Sequence, residues 1–195
     1  MSKIEEMLKR LCPEGVERVS LGDVCTIKNG SDYKSLGKGD YPVYGSGGIM
    51  THVDAYVYNK PSVLLPRKGS IEKRFYVEGP FWTVDTIYYT VINEKRISPK
   101  YLYYVVTTLN MSRFNKAGGV PSLTQGDWTR QLVSLPPRPV QDEIVKALDA
   151  MDAAVKALEE ERAVRQEQFE AVREKEMIEC CSTNVERISL AEMGE

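Results

Sequence analysis

The stretch Val16-Glu17-Arg18-Val19-Ser20-Leu21-Gly22-Asp23-Val24 returns near the other end of the chain as Val185-Glu186-Arg187-Ile188-Ser189-Leu190-Ala191-Glu192-Met193. Five of the nine positions are identical, and the four substitutions keep the polarity of the residue that they replace. Because the copies are offset by 169 residues, the chain reads as one complete repeat followed by the first residues of a second. Two such units in tandem have a natural two-fold relationship, which suits a bipartite target such as duplex DNA.

Length and composition indicate one soluble domain with an appendage. The chain has 195 residues, of which 42% are hydrophobic and 28% are charged, as in ordinary globular proteins. The sequence has no apolar run near the roughly 20 residues that span a bilayer, and its N-terminus lacks the apolar core of a secretory signal. The four cysteines, Cys12, Cys25, Cys180 and Cys181, form no CxxC pair. They predict free thiols in a reducing cytoplasm, and the chain is expected to have no membrane partner.

The net charge of −2 combines two segments of opposite sign. Residues 16–139 hold 16 Lys and Arg against 10 Asp and Glu, a net charge of +6, whereas residues 140–179 hold 6 against 12, a net charge of −6. A basic globular segment is compatible with a phosphate backbone, and an acidic helix is expected to point away from one. Since acidic helices and domains of charge +6 are both common, the split favours a nucleic-acid partner only modestly.

The sequence pattern divides the chain into four regions. Residues 1–15 contain a short amphipathic helical segment, and residues 16–137 mix runs rich in Val, Ile, Tyr and Thr with Gly and Pro turns. Strands are predicted at residues 56–58, 62–65, 74–77 and 86–92, and a helix is predicted from Ser98 to about Asn110. Residues 138–180 predict one long helix, and residues 181–195 are the start of a second repeat.

The long helix repeats its apolar residues every seven positions. No Pro or Gly interrupts residues 140–179, and forty residues make a rod of about 60 Å. One heptad position holds Ile144, Met151, Leu158, Arg165 and Val172, and the other holds Leu148, Val155, Arg162, Phe169 and Glu176. This pattern is typical of a coiled coil, and a lone helix cannot bury such a stripe. We expect a partner helix from a second repeat or a second chain, with a dimer interface of Ile144, Leu148, Met151, Val155, Leu158, Arg162, Phe169 and Val172.

Residues suited to catalysis are sparse. His52 is the single histidine and is predicted in a loop, so any His-based metal or nucleophile site would depend on it. The sequence has no P-loop, dinucleotide-binding glycine pattern or adenine-methyltransferase tetrapeptide, and residues 45–48 are interpreted as a turn. One alternative is a metal-dependent nuclease that uses Asp23 with Asp32-Tyr33-Lys34, a spacing that faintly resembles the acidic motif of such enzymes. No catalytic residue and no metal ligand are assigned.

The densest basic feature is Arg67-Lys68-Gly69-Ser70-Ile71-Glu72-Lys73-Arg74, in which two dibasic pairs flank a turn of small residues. One interpretation is the solvated end of a hairpin. The other is a loop that binds phosphates and sends an Arg to a guanine edge, where its planar fork matches two acceptors. The candidate DNA-binding residues are Arg67, Lys68, Ser70, Lys73 and Arg74, extended by Tyr33, Lys34, Lys38, Tyr44 and Lys116. Arg74 adjoins an aromatic strand and ranks below Arg67, Lys68 and Lys73.

Seven short segments follow one another in a recognisable order. They are residues 21–24 (LGDV), 41–49 (YPVYGSGGI), 65–70 (LPRKGS), 81–86 (FWTVDT), 118–123 (GGVPSL), 135–137 (LPP) and 141–144 (QDEI). Their order and spacing, over nearly the whole chain, resemble the specificity subunit of a type I restriction–modification system. The resemblance implies an α+β protein, in which a mixed α/β target-recognition domain at 16–137 is followed by one long coiled-coil α-helix.

The resemblance also implies a division of labour. In that family two units lie head to tail in one chain, their helices pair antiparallel, and each domain reads one half of a split DNA site. Separate methyltransferase subunits bind S-adenosylmethionine and methylate adenine. This chain carries one unit and the start of the next, so it resembles a half specificity subunit. The shared segments are mostly scaffold, so they do not identify the base-reading residues.

The resulting interpretation is a non-catalytic DNA-recognition subunit that acts in the cytoplasm and binds no cofactor itself. Its expected partners are double-stranded DNA, adenine methyltransferase subunits, a restriction subunit and a second copy of the chain. S-adenosylmethionine, magnesium and ATP are expected only on the partner subunits. Two alternatives stay open at this point, a metal-dependent nuclease fragment and an oligomerisation module whose basic loop does not bind DNA.

Overall fold

The computed structural model describes residues 2–114 and 119–182. The chain divides into two units, residues 1–147 and residues 148–195. In chain order the elements are α1 (Lys3–Leu11), β1 (Glu17–Ser20), α2 (Leu21–Val24), β2 (Cys25–Asn29), β3 (Tyr41–Gly45), β4 (Gly48–Val53), β5 (Ser62–Pro66), β6 (Phe75–Val77), β7 (Trp82–Thr83), β8 (Ile87–Ile92), α3 (Pro99–Thr107), a 3₁₀ turn (Ser112–Phe114), α4 (Gln125–Thr129), β9 (Leu132–Leu135) and α5 (Arg138–Ser182).

The first copy of the repeated stretch forms β1 and α2. Ser20 ends β1, and its backbone N–H and Oγ–H donate to the Asp23 carboxylate at 3.0 and 2.7 Å. This bonding closes a capping box, which satisfies free backbone groups at the start of a helix, and α1 and α4 begin in the same way. The second copy keeps Ser189 and Glu192 at the same spacing, but it lies outside the described residues.

The strands described in the first unit are arranged in three small sheets. β1 pairs antiparallel with β9, and a four-stranded antiparallel sheet has the order β2-β8-β5-β6. The third sheet has the order β4-β3-β7, with β3 antiparallel to β4 and parallel to β7. All five residues of β5 are buried; four of them are apolar, and the Ser62 hydroxyl donates to the Thr90 carbonyl at 2.8 Å.

The main core lies where β1, β2, β5, β8 and β9 meet α3 and α4. It is built from aliphatic side chains around Trp128, which is fully buried. A second cluster holds Leu64, Phe81 and Ile87, and a third holds Val43, Val53 and Val84 under the β3–β4 hairpin. The hairpin and the loop that follows β5 are therefore each supported by buried side chains.

The first turn of α5 is anchored by a buried amide. Gln141 is 1% exposed, and its Oε1 accepts from the backbone N–H of Ser98 at 2.8 Å. Its Nε2 donates to the carbonyls of Arg96 and Pro136 at 3.1 and 2.9 Å. Every polar atom of this side chain is thereby used, as burial of an amide requires. The same bond ties α5 to Ser98, the N-cap of α3.

The predicted fold class is confirmed, since a mixed α/β unit is followed by one long helix. The predicted strands at 62–65, 74–77 and 86–92 correspond to β5, β6 and β8. The strand at 56–58 was a wrong prediction, because Tyr58 makes only an isolated bridge to Phe81 and its ring packs against the Phe81 ring. His52 was wrongly predicted in a loop and lies in β4. The sequence analysis did not predict β3 and β4, whose turn ends carry Gly45 and Gly48, because glycine is depleted in strands and weakens the strand signal.

In the second unit, the described residues 148–180 form one continuous run of α5. Exposed salt bridges between side chains four residues apart stabilise the helix locally, among them the one between Arg165 and Glu161 at 2.6 Å. Large apolar side chains are exposed along it, namely Met151, Val155, Leu158, Val164, Phe169, Val172, Met177 and Ile178. No helix among the described residues is both long and apolar enough to cross a membrane.

Candidate nucleic-acid interface

Residues 67–74, here called the basic loop, connect β5 to β6. Backbone hydrogen bonds hold the loop on two neighbouring segments. The N–H groups of Arg67 and Lys68 donate to the carbonyl of Thr86 at 3.0 and 3.1 Å. Across the loop, Leu123 N donates to the Arg67 carbonyl and Gly69 N donates to the Pro121 carbonyl, at 2.8 and 2.9 Å. The loop is therefore an ordered part of the surface, which lowers the entropy lost when it binds a ligand.

Arg67 and Lys68 both contact Asp85, one at its backbone and the other at its side chain. Arg67 Nη1 donates to the backbone carbonyl of Asp85 at 3.1 Å, and Lys68 Nζ lies 3.9 Å from Asp85 Oδ2. The Lys68 and Asp85 side chains are 47% and 62% exposed. An exposed ion pair at this distance contributes little, so the Lys68 ammonium is available to an incoming phosphate.

Lys73 joins the basic loop to the turn between β3 and β4. Its Nζ donates to the Gly47 carbonyl at 3.3 Å. Gly69 has a φ of +83°, and a Cβ at this position would lie 3.0 Å from Ser46 Oγ. A residue with a side chain there would be strained in the backbone and crowded against the turn. The basic loop and the hairpin turn therefore form one continuous surface.

The Arg74 side chain is 5% exposed, so in this structure it is far less accessible to DNA than the Lys68 side chain, which is 47% exposed. Its guanidinium donates to the carbonyls of Glu72 and Leu109 at 2.6 and 2.8 Å. It also lies over the indole ring of Trp128, 5.5 Å from the centroid. Through these contacts the guanidinium holds the basic loop, although its buried Nε makes no hydrogen bond to the described residues.

The remaining candidates fall into three groups. Ser70 is exposed in the basic loop, and Tyr44 packs its ring against Phe75 at the end of that loop, 5.9 Å between centroids. Burial raises the pKa of the Tyr44 hydroxyl, which stays neutral and can donate a hydrogen bond.

Tyr33 packs against the cluster of Val43, Val53 and Val84. Lys34 and Lys38 are exposed on the segment before β3. Lys116 lies outside the described residues.

The geometry does not favour the nuclease alternative. Asp23 is used in the capping box, where the Ser20 hydroxyl and backbone N–H hold its pKa below the usual value. Asp32 Oδ1 accepts from the backbone N–H of Lys34 at 3.1 Å, as in an Asx turn. Eight residues lie between the two acids, and five of them form the extended strand β2, which spans roughly 16 Å and does not favour one ion shared by both carboxylates. Within residues 2–114 and 119–182, no group of three or more His, Cys, Asp or Glu is placed to hold a metal.

The predicted dimer seam can be compared with the burial of its members. Ile144 packs against the main core of the first unit and is half-buried. Met151, Val155, Leu158, Phe169 and Val172 are 54 to 64% exposed, and Leu148 is half-buried. Arg162 is exposed as well. The apolar stripe of residues 151–172 is thus uncovered in the single chain.

Sequence reasoning missed the residues that support the basic loop. Trp128 donates from Nε1 to the Pro66 carbonyl at 3.0 Å, and Thr86 Oγ1 accepts from the backbone N–H of Ser46 at 3.3 Å. These contacts join positions 62 and 40 residues apart. The sequence offered one indication of this support, because residues 81–86 and 118–123 belong to the segments that resemble the specificity subunits. That resemblance does not show which residues are in contact.

A protein-family model gives the relationship directly. The model described as the type I restriction modification DNA specificity domain matches residues 13–165, which include the basic loop, the three sheets and the first part of α5. The chain belongs to this family. The family match therefore agrees with the resemblance to type I specificity subunits that the sequence showed.

A curated relative supports the same assignment for the specificity domain. A Haemophilus influenzae protein named as a type I restriction enzyme specificity subunit is 31% identical over 120 residues. The match covers 59% of this chain and 31% of that protein. This chain thus spans about a third of its relative's length.

Solved structures share the fold of the specificity domain. The S subunit of a type I restriction–modification system from M. genitalium matches with a TM-score of 0.61 at 12% identity, over 73% of this chain and 40% of that one. An HsdS subunit from Thermoanaerobacter tengcongensis matches with a TM-score of 0.58 at 20% identity, over 80% and 44%. A chain from work on complex assembly and conformational transition of the type I R-M system matches with a TM-score of 0.65 at 18% identity, over 80% and 43%. At these identities the likeness concerns the fold.

Proposed function

We propose that this specificity domain binds double-stranded DNA through the basic loop and reads one half of a bipartite site on behalf of methyltransferase subunits. The observation that carries the proposal is the ordered set of half-buried Arg67 and exposed Lys68 and Lys73 on one surface with the hairpin turn. Cations fixed along a surface neutralise phosphates and release their counterions, which drives binding to any DNA sequence. Specificity then requires contacts to base edges from the same surface.

The proposed dimer follows from the exposed stripe of α5. Residues 151–172 expose apolar side chains at heptad spacing, and each one that is covered contributes about 1.5–3 kcal/mol. An antiparallel pair of copies places the acidic residues of one helix opposite Arg162 and Arg165 of the other. Two identical domains related by a two-fold axis read an interrupted palindrome, because the arrangement of half-sites follows protein symmetry.

In this proposal the domain has no chemistry of its own. Methyltransferase subunits dock on it and supply S-adenosylmethionine, and a restriction subunit supplies the magnesium- and ATP-dependent activity. The chain provides position and sequence preference. Its place of action is the cytoplasm, where the DNA and these subunits are found.

The test is reconstitution of the chain with its cognate methyltransferase subunit and S-adenosylmethionine, followed by sequencing of methylated adenines. We expect methylation of one interrupted palindrome, and none by either component alone. A triple variant, Arg67→Ala, Lys68→Ala and Lys73→Ala, is expected to assemble normally and to lose DNA binding.

Three outcomes would contradict the proposal. Methyl transfer by the purified chain alone contradicts the assignment as a non-catalytic subunit. A non-palindromic methylated site excludes the symmetric homodimer as the working form. Full DNA binding by the triple variant leaves the chain as an oligomerisation module with an incidental basic loop, or moves the DNA-binding surface elsewhere in residues 16–137.

A further inference from the structure

Two exposed apolar side chains lie beside the basic surface. Ile49 and Met50 in β4 are 55% and 56% exposed. Among the described residues of the first unit, they are the one pair of sequence neighbours that are both large, apolar and exposed. Exposing such a pair at an ordered surface is unfavourable unless a ligand covers it. The two residues follow directly after the turn whose Gly47 carbonyl accepts from Lys73.

The backbone at this pair is irregular in a specific way. Val43 faces Thr51 and Tyr44 faces Ile49, so Met50 has no residue opposite it and is the extra residue of a β-bulge. A bulge re-aims the side chain that it carries, and bulges are over-represented next to functional sites. Gly45 lies under Met50, since a Cβ on Gly45 would be 2.7 Å from the Met50 sulfur. The absence of a side chain at Gly45 thus lets Met50 lie across the hairpin.

Protection of an edge strand does not account for these two residues. β4 is at one end of its sheet, and a bulge there discourages pairing with another chain. Proteins that protect an edge do so with charged residues or proline rather than with exposed apolar side chains. The choice of Ile and Met therefore calls for an apolar ligand group.

The basic surroundings indicate what that group is. The major groove of B-DNA admits a two-stranded antiparallel ribbon such as β3–β4, and the apolar feature that it presents is the 5-methyl group of thymine. Lys73, Lys68 and Arg67 lie on the same surface as the ribbon turn, where they suit the phosphates that flank a groove. A methionine thioether is flexible and polarizable, so it adapts to a methyl group whose position varies slightly.

We propose that Met50, with Ile49 beside it, contacts the 5-methyl group of a thymine in the major groove while the basic loop holds the flanking phosphates. The inference rests on the proposed function, because it takes DNA as the ligand of this surface. The segment shared with the specificity subunits ends at Ile49, and the resemblance assigns no role to Met50.

The experiment uses the chain assembled with its methyltransferase subunit and duplexes that carry the methylated site found by sequencing. Each thymine of a half-site is replaced in turn by deoxyuridine, which removes only the 5-methyl group. Every half-site contains at least one such thymine, opposite the adenine that is methylated. For the wild-type complex we expect one replacement to raise Kd about fourfold, the factor for one buried methyl group.

Met50→Gln keeps the length of the side chain and removes its apolar end, so we expect it to fold and to bind thymine and uracil duplexes equally well at that position. The matched control is Leu132→Gln, an apolar residue of β9 that is 52% exposed, which should keep the wild-type preference. The affinities of wild type and of Met50→Gln are measured on the thymine duplex and on the uracil duplex. These four values give the coupling energy between Met50 and the methyl group.

Four results would overturn the inference. If no uracil replacement changes the wild-type affinity, or if Met50→Gln keeps the full preference for thymine, Met50 does not read a methyl group. If Met50→Gln fails to assemble with the methyltransferase subunit, the pair is a protein-docking surface. If the wild-type complex does not bind its mapped site at all, the proposed function fails, and this inference fails with it.

Discussion

The guanidinium of Arg74 lies over the indole ring of Trp128, 5.5 Å from the ring centroid. The same indole donates from Nε1 to the carbonyl of Pro66 at 3.0 Å. Pro66 ends β5 and Arg74 immediately precedes β6, so one buried ring holds both ends of the basic loop. The exposed residues between Pro66 and Arg74 are therefore positioned by contacts to the buried Trp128 side chain.

Replacement of Arg74 tests this anchor. We expect Arg74→Ala to lower the free energy of unfolding by about 2–4 kcal/mol, because the cation–π contact is lost and the Leu109 carbonyl loses its donor. The measurement is urea unfolding followed by tryptophan fluorescence. Lys73→Ala is the control, since Lys73 is exposed and its loss should change stability by no more than about 0.5 kcal/mol. Equal stability of the two variants would show that the buried anchor contributes nothing.

Salt dependence separates the residues of the basic loop that meet phosphates from those that do not. We expect Arg67→Ala, Lys68→Ala and Lys73→Ala each to lower the slope of log affinity against log salt by about 1 if the side chain meets a phosphate. If a variant instead loses about 1–3 kcal/mol of binding free energy on the target site, and its preference for the base at one position of the motif becomes weaker, the replaced side chain contacts a base. The affinities are measured in the assembled methyltransferase at two salt concentrations.

Arg74→Lys provides the comparison within the same loop. Because the Arg74 side chain is 5% exposed, this variant should keep the wild-type salt slope. Wild-type binding by all three alanine variants at both salt concentrations would mean that the basic loop is ordinary solvated surface.

Pairing through α5 is tested by charge placed in the apolar stripe. Leu148→Asp together with Val155→Asp should give monomers in sedimentation, since each covered seam residue contributes about 1.5–3 kcal/mol. The control is Val164→Asp, an apolar residue of the same helix that is 52% exposed and lies outside the two heptad positions. Dimers in the double variant, or monomers in the control, would contradict a seam at the predicted positions.

The capping box of α2 predicts a specific response to acid. The Ser20 hydroxyl and N–H lower the Asp23 pKa below its ordinary value of 3.8. Because the folded pKa is the lower one, the Asp23 carboxylate stabilises the fold above about pH 4, and this stabilisation is lost as the pH falls through the folded pKa. Asp23→Asn should therefore lose less stability than wild type between pH 4 and pH 2 in thermal unfolding.

Local chemistry explains which elements were predictable. Ser98 before Pro99 marked the start of α3, and a run made up of β-branched and aromatic residues marked β8. β7 has only two residues and β9 only four, and segments this short carry no periodic signal. The run at residues 56–58 has strand-like composition but no neighbouring strand to pair with beyond Phe81, because pairing depends on residues that are distant in the chain.

The same division applies to the candidate site. Charge density alone located Arg67, Lys68 and Lys73 on an exposed loop. Charge did not distinguish them from Arg74, whose lower rank came from the aromatic strand beside it in the sequence. Their difference is burial, and that depends on Trp128, which is 54 positions later in the chain than Arg74.

The sequence by itself determined the family, the fold class and the long helix, because capping residues, heptad spacing and the ordered short segments act locally or are read in order along the chain. Only the tertiary structure decided that Arg74 faces inward and that Met50 is the bulged residue of the hairpin beside Lys73. These facts arise from strand register and from side chains that meet across 26 to 62 residues of sequence. Register and packing are set by the free energy of the whole core, which local patterns do not encode.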